Sequence, residues 1–303
     1  MDKPLISIIT INYNGLVHTL GLLASLQKIR YPHIEVIVVD NASREDPAAI
    51  TANFPTTVLL KNPVNEGFAG GNNRGMEIAN GDFFFLINND TEVCPNILDV
   101  LLERANSRPN IGLVCPKILY HEKPNMIQYA GFRAINRITG RGKGVGYGEE
   151  DNGQYQTPSP THLAHGAAMF IPRKVVEDIG MMAEQYFLYY EEMDYCQRIK
   201  KAGYEIWYEP ETYVLHKESM SVGKRSLLKT YYMSRNRWLY LRRNVEWPWF
   251  LFTTIYYVCI AVPKNLLMHI SKAEWDHVKS YLSGFWNSLF VKHPHDNPTI
   301  KQQ

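Results

Sequence analysis

The chain has 303 residues, 45% hydrophobic and 20% charged, with a formal net charge of +2. This is an ordinary globular composition that gives room for one large or two small domains with a sizeable core, and it excludes a disordered or fibrous chain. The four cysteines, Cys94, Cys115, Cys196 and Cys259, lack C-x-x-C spacing, which argues against a disulfide framework or a zinc site and fits a reducing compartment.

Lys3 precedes an apolar run over 5–11 that is broken by Asn12 and followed by no small-residue cleavage site. It reads as a strand rather than a signal peptide, and the chain is expected in the cytosol. Further strands are predicted over 34–39, 57–60, 83–87 and 112–115. Leu16, Leu20, Leu23 and Leu26 mark one helix face, and Ile97, Leu98, Leu101 and Leu102 another. The pattern up to about residue 116 predicts a parallel sheet flanked by helices, the nucleotide-binding style of α/β fold. Asp40 stands at the carboxyl end of the second strand, where a carboxylate can accept hydrogen bonds from a ribose or a base; it can equally cap its own loop. The stretch NEGFAGGNNRG, 65–75, brings glycines to a helix start, where backbone can approach a phosphate, but it matches neither the P-loop nor the dinucleotide fingerprint. FFFLINNDTEV, 83–93, is an apolar strand that ends in Asn88, Asn89 and Asp90. One aspartate with neighbouring oxygen donors can hold a hard divalent cation whose open positions a diphosphate fills; the alternative is a turn followed by a helix cap.

The segment 117–160 is less regular, and GRGKGVGYGEEDNG reads as a mobile loop or hairpin tip. A second core segment over 162–216 holds a strand near 167–171, a helix near 173–179, and a helix near 194–202 closed by Gly203. Glu191, Glu192 and Asp194 follow the aromatic run that includes Tyr186, Tyr189 and Tyr190. Acids at a helix start serve as caps, which accounts for Asp194 alone. Three within four residues exceed what a cap needs, and Glu192 in a partly desolvated cleft would serve as a general base. His216, at the end of an extended segment, is a candidate metal ligand with Asp90 or a structural histidine.

The last third is electrostatically distinct. Residues 1–218 carry 20 basic and 26 acidic side chains, whereas 219–303 carry 12 and 4. Lys224, Arg225, Lys229, Arg235, Arg237, Arg242 and Arg243 accumulate among aromatic residues with no acid over 219–245. The following run 247–262 is uncharged but only 16 residues long. A spanning helix needs about 20, so an interfacial or re-entrant helix is predicted. Basic residues among aromatics also suit RNA, but the apolar run has no place in a soluble nucleic-acid binder. Membrane association accounts for both features, and a helical domain or dimer interface is the alternative.

Taken together, SIITINYNG, VIVVDNAS, NEGFAGGNNRG, FLINNDTEV, HGAAMFIPRKVVEDIG, YYEEMDYCQRIKKAGY and VLHKESMS resemble, in order, the motifs of family two glycosyltransferases. The flavour is similar to bacterial rhamnosyltransferase-like enzymes of cell-surface polysaccharide assembly. The resemblance implies a GT-A domain over 1–221, with a nucleotide-sugar half over 1–116 and an acceptor half over 117–221, and a basic, aromatic, helical extension over 222–303. It implies that Thr10, Asn12 and Asp40 line the nucleoside pocket, that Asn72, Arg74, Asn88 and Asn89 lie near the donor, and that Asp90 and His216 hold Mg²⁺ or Mn²⁺. Asn88 replaces the first acid of the family's D-x-D pattern. Glu192 takes the base position, with Glu191 and Asp194 beside it, in a metal-dependent inverting transfer. The donor implied is a dTDP- or UDP-sugar and the acceptor a glycan or lipid-linked saccharide at the inner face of the cell membrane. A sugar-phosphate nucleotidyltransferase and a non-catalytic sugar-binding module are the rival readings.

Overall fold

The computed structural model describes residues 3–139, 141–217 and 226–290. Lys224, Arg225 and the end of the VLHKESMS motif lie outside them. Strands β1 (Ile6–Asn12), β2 (Ile34–Asp40), β3 (Val58–Lys61) and β4 (Phe83–Ile87) run parallel in the order β3-β2-β1-β4. Their side chains alternate between two cores: Phe84 and Leu86 join one, Phe85 and Ile87 the other. That two-sided burial explains why the sequence reads as an unbroken apolar run. Each buried phenylalanine stabilises the sheet by roughly 1.5–3 kcal/mol.

The sheet continues through β9 (Ala168–Pro172), β6 (Ile111–Tyr120), β10 (Glu205–His216) and β5 (Thr91–Val93), with β7 (Lys123–Tyr129) paired to β6 and β8 (Ser159–Pro160) to β10. β9 runs antiparallel to β4, and β10 runs parallel to β6. The expected division at residue 116 therefore falls inside a ten-residue strand, and both halves share one sheet. The segment read as irregular extends this edge: Met126 bridges to Glu150, and Phe132 to Gly144.

Helices α1 (Leu16–Leu26), α2 (Ala48–Asn53), α3 (Gly67–Ile78), α4 (Ile97–Asn106), α5 (Arg173–Ile179) and α6 (Glu191–Lys201) accompany the sheet. α4 buries Ile97, Leu98 and Leu101 of the predicted stripe and leaves Leu102 partly buried, with Ala105 joining the buried face. The glycines of α3 serve packing. A Cβ on Gly75 would stand 2.3 Å from Cγ2 of Ile9, so only glycine lets the helix lie this close to β1. Gly67, at φ +73, has the Phe187 carbonyl where a Cβ would project.

The C-terminal part folds as α7 (Leu227–Asn244), α8 (Trp249–Tyr256), a π turn (Tyr257–Ala261), α9 (Val262–Ser271) and α10 (Trp275–Ser288). α7 is not the membrane-facing element the sequence predicted. Tyr231, Tyr232 and every residue from 234 to 241 are buried against the sheet domain and α10. Asn236 donates to the carbonyls of Tyr186, Leu188 and Tyr189 at 2.7–2.8 Å, and Arg235 donates to that of Gln185 at 2.8 Å. The exposed apolar surface lies instead on α8, α9 and α10. α8, the π turn and α9 form one continuous helix of 23 residues, Trp249–Ser271, in which an 18-residue window has mean hydropathy 1.4 and is 22% buried; the helix is long and apolar enough to cross a membrane. The expected 16-residue segment was too short because the helix continues through Pro263, which follows directly on the π turn where the regular hydrogen-bond ladder is already broken.

Candidate active site

The carboxyl ends of β1, β2 and β4 meet in a polar cluster, as open α/β sheets favour. Asn12, fully buried, donates to Asp40 Oδ1 at 2.7 Å and to Ser43 Oγ at 3.1 Å, and accepts from Thr19 Oγ1 at 2.8 Å. Asp40 Oδ2 accepts the Ser43 amide at 3.1 Å, which fixes the loop through Ala42 at φ 60. Each oxygen of Asp40 keeps a lone pair for a further donor. Thr10 departs from expectation. Its side chain is sealed in the sheet and its Oγ1 has no hydrogen-bond partner.

Asn88, Asn89 and Asp90 carry the chain from β4 to β5, and β5 pairs antiparallel with the end of β10. This topology brings His216 to Asp90, with Nε2 3.2 Å from Oδ1. Both residues are buried. Burial alone would push the Asp90 carboxyl up, but the hydrogen bond and charge of His216 outweigh it and hold the carboxyl below its usual range. On its other side, His216 Nδ1 lies 2.8 Å from Gln128 Oε1. An amide oxygen only accepts, so Nδ1 carries a hydrogen and Nε2 is the ring atom left to face the Asp90 carboxylate. Two such groups at 3.2 Å need a cation between them, a proton or a divalent metal. The donor set thus fits a metal. Asn88 completes the cluster, its amide nitrogen 3.5 Å from Nε2. Among the described residues no group of three His, Cys, Asp or Glu side chains gathers, so a bound ion would take its remaining ligands from elsewhere.

Asn89 has a different task from the one expected. It donates to Thr19 Oγ1 at 3.0 Å and ties the turn to α1. Asn72 folds back on the Phe68 carbonyl, and Arg74 pairs with Glu66 and Glu77 on the outer side of α3. Glycine spacing alone could not distinguish a phosphate cradle from close helix packing.

Tyr189 and Tyr190, at φ 69 and 75, turn the chain into α6, whose first residues are the two glutamates. Glu191 is buried, and its Oε2 has no partner. Burial and then the charge of Glu192 push its carboxyl well above the usual range. Glu192 is half-buried, and burial raises it too, while backbone amides of Tyr190, Glu192 and Met193 pull it back. The two carboxyls, both raised by burial, give up their protons as an interacting pair. A Cβ on Gly166 would stand 3.8 Å from Cβ and Cγ of Glu192. The ring of the preceding His165 lies 5.7 Å from that of His216. The turn at His165 and Gly166 thus joins the glutamates to the Asp90–His216 pair. His165, assigned no role from sequence, is pushed down to about 3 by burial and next by His216. Gln128 was also missed, since it falls in the segment read as irregular.

Asp194 does not share the glutamates' situation. Its buried carboxylate accepts from Tyr186 Oη at 3.1 Å, Arg198 Nε at 3.2 Å, Arg243 Nε at 3.2 Å and Asn244 Nδ2 at 2.8 Å. It is the rivet between α6 and α7, with no capacity left for a substrate proton. Asp194→Ala is expected to lower unfolding stability by about 3–5 kcal/mol, because two arginines lose a buried partner. The urea midpoint measures this, and an unchanged midpoint would contradict the assignment.

The architecture is that of the GT-A glycosyltransferases. A crystal structure of GalNAc-T7 with UDP, GalNAc and Mn²⁺ is similar to this chain with a TM-score of 0.66 at 16% identity, over 90% of this chain and 55% of that one. The chain belongs to glycosyl transferase family 2, whose model matches residues 7–180. It is 26% identical over 243 residues to a low-salt glycan biosynthesis hexosyltransferase of Haloferax volcanii, covering 77% of this chain and 74% of the relative. It is 24% identical over 238 residues to the N-acetylglucosaminyl-diphospho-decaprenol L-rhamnosyltransferase of Mycobacterium tuberculosis, covering 72% and 77%.

Proposed function

We propose that this family 2 glycosyltransferase is a metal-dependent, inverting enzyme that moves a sugar from a nucleoside-diphosphate donor to a glycan or lipid-linked acceptor. The observation that carries the reading is Nε2 of His216 held 3.2 Å from the Asp90 carboxylate while Gln128 engages Nδ1. Asp90 and His216 would hold Mn²⁺ or Mg²⁺, and an imidazole in the donor set favours Mn²⁺. A bound divalent ion supplies charge stabilisation for a departing diphosphate. Asp40 orients the nucleoside through its remaining lone pairs. Glu192, half-exposed beside Gly166, takes the proton of the acceptor hydroxyl as its oxygen attacks the anomeric carbon, and a single displacement of this kind inverts configuration. The rhamnosyltransferase among the relatives supports rhamnose as the sugar and a diphospholipid as the carrier. The exposed apolar face of residues 249–271 supports a peripheral position at the cytoplasmic side of the membrane.

Calorimetric titration with UDP-, dTDP- and GDP-sugars, with and without Mn²⁺, tests the reading. Saturable, Mn²⁺-dependent binding of one nucleotide is expected. Failure of all three to bind would overturn it.

A further inference from the structure

Between α7, α9, α10 and the start of α6 lies a cavity of about 670 Å³. Arg141, Lys229, Arg237 and Lys272 line it, and its one acidic wall residue, Glu274, is engaged by His269 Nδ1 at 2.8 Å. Among the described residues none of the four cations forms an ion pair. Arg237 is the most informative. It is 7% exposed, its Nη2 donates to the Thr139 carbonyl at 2.8 Å, and its Nε–H has no partner. Its guanidinium lies 5.0 Å over the Tyr257 ring with no carboxylate beside it, and a cation so placed on a cavity wall favours an anionic oxygen.

Two further features specify the anion's carrier. Tyr190 and Met193, which flank the glutamates, also line the cavity, so a molecule anchored here extends toward Glu192. Met268 lines it from α9, and the helix that carries Met268 also exposes Leu267, Ile260, Val258 and Ile255. The cavity therefore joins a cationic chamber to an uncovered apolar track. We propose that it binds the phosphate or diphosphate head of an amphiphilic acceptor, whose apolar tail lies along the 249–271 helix. This rests on the glycosyltransferase reading and adds to it the place and chemistry of acceptor capture. Its size suits such a group, since small-molecule sites typically run about 300–1,000 Å³.

The test uses the full-length protein in EDTA, which removes metal-dependent binding at Asp90, and three probes: farnesyl diphosphate, farnesol and inorganic pyrophosphate. Farnesyl diphosphate is expected to bind saturably, pyrophosphate to compete with it, and farnesol to bind at least about tenfold more weakly. The double variant Lys229→Glu, Lys272→Glu changes two side chains that are not buried and is expected to weaken farnesyl diphosphate by at least about tenfold, with an unaltered circular dichroism spectrum. Undiminished affinity in that variant, or farnesol binding as tightly as its diphosphate, overturns the proposal. Displacement of farnesyl diphosphate by phosphatidylglycerol vesicles but not by pyrophosphate would assign the cavity to bilayer headgroups and overturn it equally. Donor titration of the wild type in Mn²⁺ separates the two readings: donor binding without farnesyl diphosphate binding overturns the cavity assignment alone.

Discussion

Glu192→Gln is expected to lower kcat by about 10²- to 10⁴-fold, the contribution of a positioned base, while donor affinity stays near wild type. The amide matches the carboxylate in shape but cannot take the acceptor's proton. Glu192 sits half-exposed at the start of α6 beside Gly166, whereas its neighbours are committed elsewhere: Glu191 is buried with an unpartnered oxygen, and Asp194 is held by four donors. A pH profile adds an independent readout. A base works deprotonated, and burial lifts the Glu192 carboxyl above its ordinary value of 4.5. The rate should therefore fall as pH drops through that raised value, with the ascending limb displaced upward from an ordinary glutamate. In Glu192→Gln this limb should vanish. Wild-type turnover in that variant, or a limb that survives unchanged, would remove Glu192 from the base position.

The second large effect is expected at the metal pair. Asp90→Ala and His216→Ala should each abolish the Mn²⁺ dependence of donor binding and weaken donor affinity in Mn²⁺ by more than about 100-fold, beyond the 10- to 100-fold typical of outer-shell partners. Gln128→Leu should fall within that smaller range. It touches no donor but frees His216 to put its hydrogen on Nε2, which then faces Asp90 as a donor rather than as a ligand. Donor titrations across a Mn²⁺ series measure all three. Equal Mn²⁺ dependence in Asp90→Ala and wild type would exclude Asp90 from metal binding.

Much of the fold was legible because its signals are local. The four parallel strands, the leucine stripe of α4 and the glycine closing α6 are fixed by period and turn chemistry within a few residues. Asp90, His216 and the glutamate pair stood out because charged groups at strand and helix ends have few structural reasons to cluster. What escaped was decided by distant partners. Gln128 acquires meaning only when β7 pairs with β6, the strand that also pairs with β10 and its His216. The glycines of α3 read as an approach to a phosphate, yet Ile9 and Ile11 of β1 set the size of Gly75 and Gly71. The basic tail reads as a membrane face, yet Arg235 and Asn236 spend their donors on carbonyls about the Tyr186 turn, a contact no periodicity announces. The GT-A class itself came from the order of several modest motifs, none sufficient alone.

Asn236 reaches back 50 residues to Tyr186, and His216 reaches back 88 to Gln128. On a ribosome that adds roughly 5–20 residues per second, β1, β2 and β4 are complete several seconds before His216 or the clamp on the glutamate turn exists. Under the roles proposed for Asp40, Asp90, His216 and Glu192, the nascent protein is expected to acquire a donor shelf first, a metal seat later, and a positioned base only when α7 docks. Synthesis order would then keep the molecule chemically silent until its last third has folded.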